Sequence, residues 1–196
     1  MQVITPKLFS LLFQQPDLTQ PISVLDFGCV CSQSIDFFNQ FHCKLYIGDF
    51  ASESLANAED PDITDEQLLE SYRSLMVFPE DARFDICLFW DFFSLLNNRG
   101  MQLFFQVLKP YLSDRAQGYG FGALSRRGEL SYQNYRILDF DRLQAEEQQG
   151  STPRLYAHGQ SDFDSYLPPF KVTKGVLMQN GKLEVLLRLG SVSTRR

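Results

Sequence analysis

Three acidic residues that close apolar runs carry the chemistry legible in this chain. Val24-Leu25-Asp26-Phe27-Gly28 leads into Cys29-Val30-Cys31-Ser32 and then into the apolar-stepped Ile35-Asp36-Phe37-Phe38-Asn39-Gln40-Phe41. This order predicts a buried strand, a tight loop at a single glycine and a helix, the arrangement with which open α/β sheets cradle a nucleotide cofactor. Gly48-Asp49-Phe50 closes a second apolar run from Lys44, and Phe89-Trp90-Asp91 closes a third that begins at Phe84. A carboxylate at the carboxyl end of a strand faces the ligand crevice of such a sheet. Each acid also has a plainer reading. Asp49 suits a solvated turn, and Asp91 suits a cap for a helix starting at Phe92, with Trp90 in the core.

Other reactive side chains lack partners at useful spacing. Cys29-x-Cys31 has no second pair to complete a four-ligand zinc site, and neither His42 nor Cys43 supplies one. His158 precedes a late helix, where it suits a surface, a capping role or a general base. No Gly-x-Ser-x-Gly, Gly-Lys-Ser/Thr or His-Glu-x-x-His sequence is present, so hydrolase, P-loop and zincin readings have no support.

The elements that must position these residues follow from periodicity. Pro6 opens a short helix to about Gln14, Ser23–Phe27 is a strand, and Gln33–Phe41 is a helix with Ile35, Phe38 and Phe41 near one face. A second strand spans Lys44–Asp49, and a helix starts at Asp65. The run from Phe84 to Trp90 is a third strand, and Phe92–Asn97 and Met101–Leu108 are helical, broken at Asn97–Gly100 and stopped by Lys109-Pro110. Glycine alternates with bulkier residues in Gln117–Leu124, which predicts a strand closely approached by its neighbours. The polar stretch from Arg126 to Gly150 yields no assignment. Ser161 is placed as N-cap of a helix to Leu167, and Asn180-Gly181 joins Phe170–Met178 to Leu183–Leu189 as a hairpin. Strand and helix alternating before a terminal hairpin predict a Rossmann-like three-layer α/β sandwich, its sheet mainly parallel with an antiparallel C-terminal end.

A chain of 196 residues suits one domain over residues 1–196, and 44% hydrophobic with 14% aromatic content makes it globular. The net charge of −6 argues against binding nucleic acid or anionic membrane surfaces. No run reaches the ~18 apolar residues of a membrane span, and the N-terminal apolar run is too short for a signal peptide. A cytoplasmic protein without membrane insertion is expected.

Taken in order, the motifs resemble the class I S-adenosylmethionine-dependent methyltransferases from Ser23 to Leu189. Val24–Gly28 is similar to the family's first motif, and Tyr46–Leu55 to its second strand and turn, with Asp49 standing 23 positions after Asp26. Phe84–Leu96 looks like its fourth-strand motif, Leu108-Lys109-Pro110 like the approach to its fifth strand, and the final hairpin like its sixth and seventh strands. The resemblance implies S-adenosylmethionine as cofactor, held by Asp26, Phe27, Gly28, Cys29, Asp49, Phe50, Phe89, Trp90 and Asp91, with Asp49 on the ribose hydroxyls. It implies methyl transfer to a small-molecule or protein acceptor, with no single catalytic residue, because this in-line displacement rests on positioning and desolvation.

The chain departs from the family at two places. Val30 and Ser32 stand where the family repeats glycine, and Tyr72-Arg73-Ser74-Leu75 stands where an acid contacts the adenine amine. If Val30 must take a positive φ, strain of about 1–3 kcal/mol is expected. These departures support an alternative: a catalytically inactive methyltransferase-fold protein acting as a protein-binding or regulatory subunit.

Overall fold

The computed structural model describes residues 1–14, 18–48, 55, 58–123, 131–147 and 154–190. Nine strands and four α-helices are assigned among them: β1 Gln2–Ile4, β2 Ile22–Asp26, α1 Ser32–Phe38, β3 Cys43–Ile47, α2 Asp65–Leu75, β4 Phe84–Trp90, α3 Asn98–Leu108, β5 Leu112–Ala123, β6 Gln133–Asp139, β7 Arg142–Glu147, α4 Gln160–Tyr166, β8 Phe170–Leu177 and β9 Lys182–Leu189. Six strands form the main sheet in the order β3-β2-β4-β5-β9-β8. The first four run parallel, and β9 and β8 close the sheet antiparallel, as the alternation of elements predicted.

Strand β4 is buried along its whole length, as a strand covered on both faces must be. Asp85 at its start secures the neighbouring strands: it accepts hydrogen bonds from Ser23 N (3.0 Å) on β2 and from Ser113 Oγ (2.8 Å) and Arg115 Nε (3.0 Å) on β5. Strand β5 is built for close approach. A Cβ added at Gly118 would lie 2.9 Å from the Phe89 ring, and one at Gly120 would lie 2.8 Å from Phe93. The alternate residues of β5, Tyr119 and Phe121, point to the opposite face and join the other core.

The sheet therefore separates two apolar layers. One holds α2, α3 and α4 against the sheet through Leu68, Tyr72, Phe104, Phe105 and Phe163. The other holds α1, a 3-10 turn at Phe9–Phe13 and a second, three-stranded antiparallel sheet β1-β7-β6. This small sheet is the main departure from expectation. Residues 2–4 pair with β7, and the stretch left unassigned from the sequence supplies the β6–β7 hairpin. Buried Glu184 of β9 fastens the N-terminal segment beneath it, accepting from Lys7 N (2.8 Å), Leu8 N (2.7 Å) and Tyr119 Oη (2.8 Å).

Several boundaries also differ. The predicted helix from Pro6 is only the 3-10 turn at Phe9–Phe13. Helix α1 ends at Phe38 and buries Ser34, Phe37 and Phe38 rather than Ile35 and Phe41. Asn97 is not a break but the N-cap of α3, its Oδ1 accepting from Gly100 N at 2.7 Å. Gly159, not Ser161, precedes the first turn of α4, where Asp162 accepts from Gly159 N at 2.9 Å. Helix α2 starts where predicted, behind a Thr64–Gln67 capping box. No helix among the described residues is long and apolar enough to cross a membrane.

Candidate functional site

The topological switch point lies between β2 and β4, whose carboxyl ends are neighbours in the sheet. Sequence reasoning assigned Asp26, Gly28, Trp90 and Asp91 to this place, and the fold brings all four there. Phe27 also leaves β2 here, but its ring turns into the α3 layer, 4.9 Å from Phe89 and 4.8 Å from Phe92 between centroids. Phe89 lies in that same core with Phe93 and Phe105. Cys29 stands half-buried in the loop. Asp49 and Phe50 fall outside the described residues.

In the loop from β2 to α1 the chain bends at Gly28 and is extended at Cys31. Gly28, Cys29, Val30 and Cys31 all keep negative φ, and Cys31 has φ −145° and ψ 146°. Val30 thus escapes the strain foreseen for it, and its side chain is 71% exposed. The left-handed conformation occurs instead at Trp90, with φ 49°, the one non-glycine residue among those described to adopt it. A bulky residue there is strained.

The strained backbone aims the Trp90 indole across the switch point. Its Nε1 donates to Asp26 Oδ1 at 2.5 Å, and Gly28 N donates to the same oxygen at 2.8 Å. A Cβ added at Gly28 would lie 2.9 Å from Trp90 Nε1 and 2.9 Å from Asp26 Oδ1. Glycine is therefore needed here, but the group making the close approach is the protein's own indole. The ring stacks on Tyr135 of β6 (5.2 Å, 12°) and lies near Phe9 (6.0 Å). Asp26 and Trp90 are each only 2% exposed.

Burial pushes the Asp26 carboxyl up to about 6, outweighing the Trp90 and Gly28 hydrogen bonds that pull it down; the negative charge of Cys31 raises it further. The unfolded chain releases this proton near pH 4, so between pH 4 and 6 the folded chain holds more protons. The stability contributed by this group is then present at low pH and is lost as pH rises through about 6. The shift corresponds to about 3 kcal/mol. Relative to Asp26→Asn, the wild-type chain is expected to lose about that much unfolding free energy between pH 4 and 7, read from urea titrations. Parallel pH profiles for the two proteins would show that Asp26 holds no such proton.

Asp91 neither caps the 3-10 turn at Phe92–Leu95 nor faces an open crevice. Its carboxylate accepts from Lys182 Nζ at 2.5 Å, Gln133 N at 2.9 Å and Tyr135 Oη at 3.1 Å. Lys182 also donates to Ser131 O (3.2 Å) and Tyr135 Oη (2.9 Å). Burial raises the Asp91 carboxyl, against the Lys182 charge that lowers it. The cluster ties the end of β4 to the small sheet and to β9. Sequence reasoning missed Lys182, Tyr135 and Glu184, and no local signal marks them, because their partners are distant in the chain.

An open cleft of about 880 Å³ lies to the side, at the N-terminal end of α3, lined among others by Glu59, Asn97, Arg99, Arg154 and Tyr156. Arg154 pairs with Glu59 and lies over the Tyr156 ring. Arg99 is committed to Asp65 and to the Ile63 carbonyl. Among the described residues, no group of three or more His, Cys, Asp or Glu side chains is placed to hold a metal ion.

No protein-family model matches this sequence, and no characterised protein matches it in sequence. Solved structures do match in three dimensions. An S-adenosylmethionine-dependent methyltransferase from Clostridium acetobutylicum shares 14% identity over 93% of this chain and 91% of its own, with a TM-score of 0.52. The 1,6-didemethyltoxoflavin-N1-methyltransferase of Burkholderia thailandensis, at 13% identity, covers 92% of this chain and 76% of its own with a TM-score of 0.49. The glycopeptide N-methyltransferase MtfA, at 11% identity, covers 95% and 92% with a TM-score of 0.48. The first of these likenesses shows the fold: a class I methyltransferase-like, Rossmann-type α/β sandwich.

As arranged, the Trp90 indole covers Asp26 Oδ1 and Gly28, two of the residues that the resemblance placed at the cofactor.

Proposed function

We propose that this chain is a methyltransferase-fold protein whose donor crevice is closed by Trp90, and that it acts as a protein-binding or regulatory subunit. One observation carries the reading. The indole that covers Asp26 and Gly28 is stacked in the second core and hydrogen-bonded at 2.5 Å, not resting on a surface. Moving it out would expose a large aromatic side chain at a cost of about 3 kcal/mol. A ligand that must first open the crevice would lose about a hundredfold in affinity. A donor site of micromolar intrinsic strength would then bind only in the range of about 0.1 mM or weaker.

A second reading is S-adenosylmethionine-dependent methyl transfer to a small-molecule or protein acceptor. It is favoured by the φ of 49° at Trp90, since strain stored at a switch point is a common companion of function.

Isothermal calorimetry with S-adenosylmethionine and S-adenosylhomocysteine separates the two. The closed crevice predicts binding no tighter than about 0.1 mM, so no heat and no thermal shift at about 10 μM ligand. A micromolar dissociation constant would overturn it in favour of methyl transfer. Trp90 is the chain's only tryptophan, so its emission reports independently whether the indole leaves its buried site on ligand addition.

A further inference from the structure

Strand β8 is the outer strand of the main sheet: β9 pairs with one of its sides, and no described strand pairs with the other. The N–H and C=O groups along such an edge are a template for a further strand. Basic residues gather on one face of it. Lys171 is in register with Arg188 of β9, and Lys174 with Leu186, two residues earlier on the same face. A bulge at Thr173, whose hydroxyl donates to Leu186 O (3.0 Å), brings the two lysines to that common face. Val176 and Met178 continue it and pack against the second core, while α4 with Asp162 and Asp164 covers the other face.

Lys171 and Lys174 are exposed, as is Lys7. Among the described residues, none of Lys7, Lys171, Lys174 and Arg188 enters an ion pair, and Arg188 Nε is enclosed without a hydrogen-bond partner. Glu184, in register with Val176, is buried and already takes three donors. The basic face runs into a groove of about 420 Å³ between the N-terminal segment and the β8–β9 turn. Val3 and Leu177 line it, yet are 59% and 62% exposed, and β1 beside it is the edge of the small sheet.

We propose that β8 binds an extended acidic segment of a partner protein by strand addition, with carboxylates on Lys171, Lys174 and Arg188 and an apolar side chain in the groove beside Val3 and Leu177. The proposal rests on the reading of this chain as a protein-binding subunit and gives that reading its surface. Charge selects the occupant. A second copy added through β8 would set the lysines against their own counterparts, whereas alternate carboxylates meet them with opposite charge. The unpaired backbone groups select a strand over a polyanion without amides to offer.

The test is fluorescence anisotropy of the full chain with a fluorescein-labelled Leu-Thr-Glu-Thr-Glu-Thr-Leu peptide, which reads the same in both strand directions. Binding at about 10–100 μM is expected in about 50 mM salt, and about tenfold weaker binding in about 0.5 M salt. Lys171→Glu/Lys174→Glu, two changes at exposed positions, should weaken it at least about tenfold and admit Leu-Thr-Lys-Thr-Lys-Thr-Leu instead. Hydrogen exchange of residues 170–177 in the wild-type chain should slow when the peptide is bound. No binding at about 1 mM peptide, or unchanged exchange at β8, would overturn the proposal. So would equal binding of Leu-Pro-Glu-Pro-Glu-Pro-Leu, which keeps the charge but removes alternate N–H groups. A wild-type dimer in sedimentation that the double variant loses would assign the face to a second copy. Loss of peptide binding leaves the closed crevice standing, and tight S-adenosylhomocysteine binding would overturn the crevice reading while leaving the peptide result intact.

Discussion

Lys182→Met is expected to destabilise the protein by about 3–5 kcal/mol, the usual cost of removing one partner from a buried ion pair. Asp91 and Lys182 have side chains only 3% and 12% exposed and meet at 2.5 Å. Without the ammonium, the Asp91 carboxylate keeps its bonds from Gln133 N and Tyr135 Oη but loses the charge that offsets its desolvation. Its carboxyl, already raised by burial, then rises further. The variant should therefore lose additional stability as pH rises above the unfolded-state value near 4, where the folded chain retains a proton that the unfolded chain releases. Thermal unfolding at pH 5 and 8 checks both parts. Asp91→Asn/Lys182→Met should recover much of the loss, because a neutral amide oxygen still accepts from Gln133 and Tyr135. If Lys182→Met unfolds like wild type at both pH values, the cluster is not the clamp between the two sheets.

Trp90→Ala carries the second large effect, about 3–5 kcal/mol, or a Tm about 10 °C lower for a chain of this size. The indole fills space between Phe9, Tyr119 and Tyr135, and its removal leaves a cavity over Gly28 and one fewer donor on Asp26. Trp90→Phe keeps most of the volume and loses the hydrogen bond, so a loss of about 1–2 kcal/mol is expected. The pair also probes the crevice. If the indole is what excludes a methyl donor, Trp90→Ala should bind S-adenosylhomocysteine more tightly than wild type at a temperature where both are folded. Equal absence of binding in the two proteins would place the obstacle elsewhere in the loop, at Val30 and Ser32.

Much of the large sheet was readable without coordinates because its signals are local. The run Phe84–Trp90, apolar apart from Asp85, reads as a strand, and β4 is buried along its whole length. The helix expected from Asp65 starts there as α2, and Asn180-Gly181 announces the β8–β9 turn, where Gly181 takes φ +81°. The alternating glycines of β5 foretold a close approach of its neighbours, which the structure shows to be aromatic rings. The small sheet was not readable. In β6 and β7 only Tyr135, Ile137, Leu143 and Ala145 are buried, and the alternating residues are polar apart from exposed Leu138. Strand β1 has three residues. Such strands are defined by the partner they pair with, and β1 meets β7 from more than a hundred residues away in sequence.

The candidate site divides the same way. Residue order alone determined that Asp26, Gly28, Trp90 and Asp91 would meet at the end of β2 and β4, because strand ends and chain connectivity place them there. Which way Trp90 and Asp91 face was decided by tertiary structure. A strand's two-residue period assigns side chains to faces, but at a strand end the backbone is free to turn, and φ 49° turns Trp90 toward Asp26. The small sheet supplies the stacking surface on Tyr135 that holds the ring there, and β9 supplies the Lys182 charge that draws Asp91 inward. Local pattern thus built a methyltransferase-like fold. Long-range packing, which acts between residues far apart in sequence, set what lies over the switch point, and it placed the Trp90 indole there.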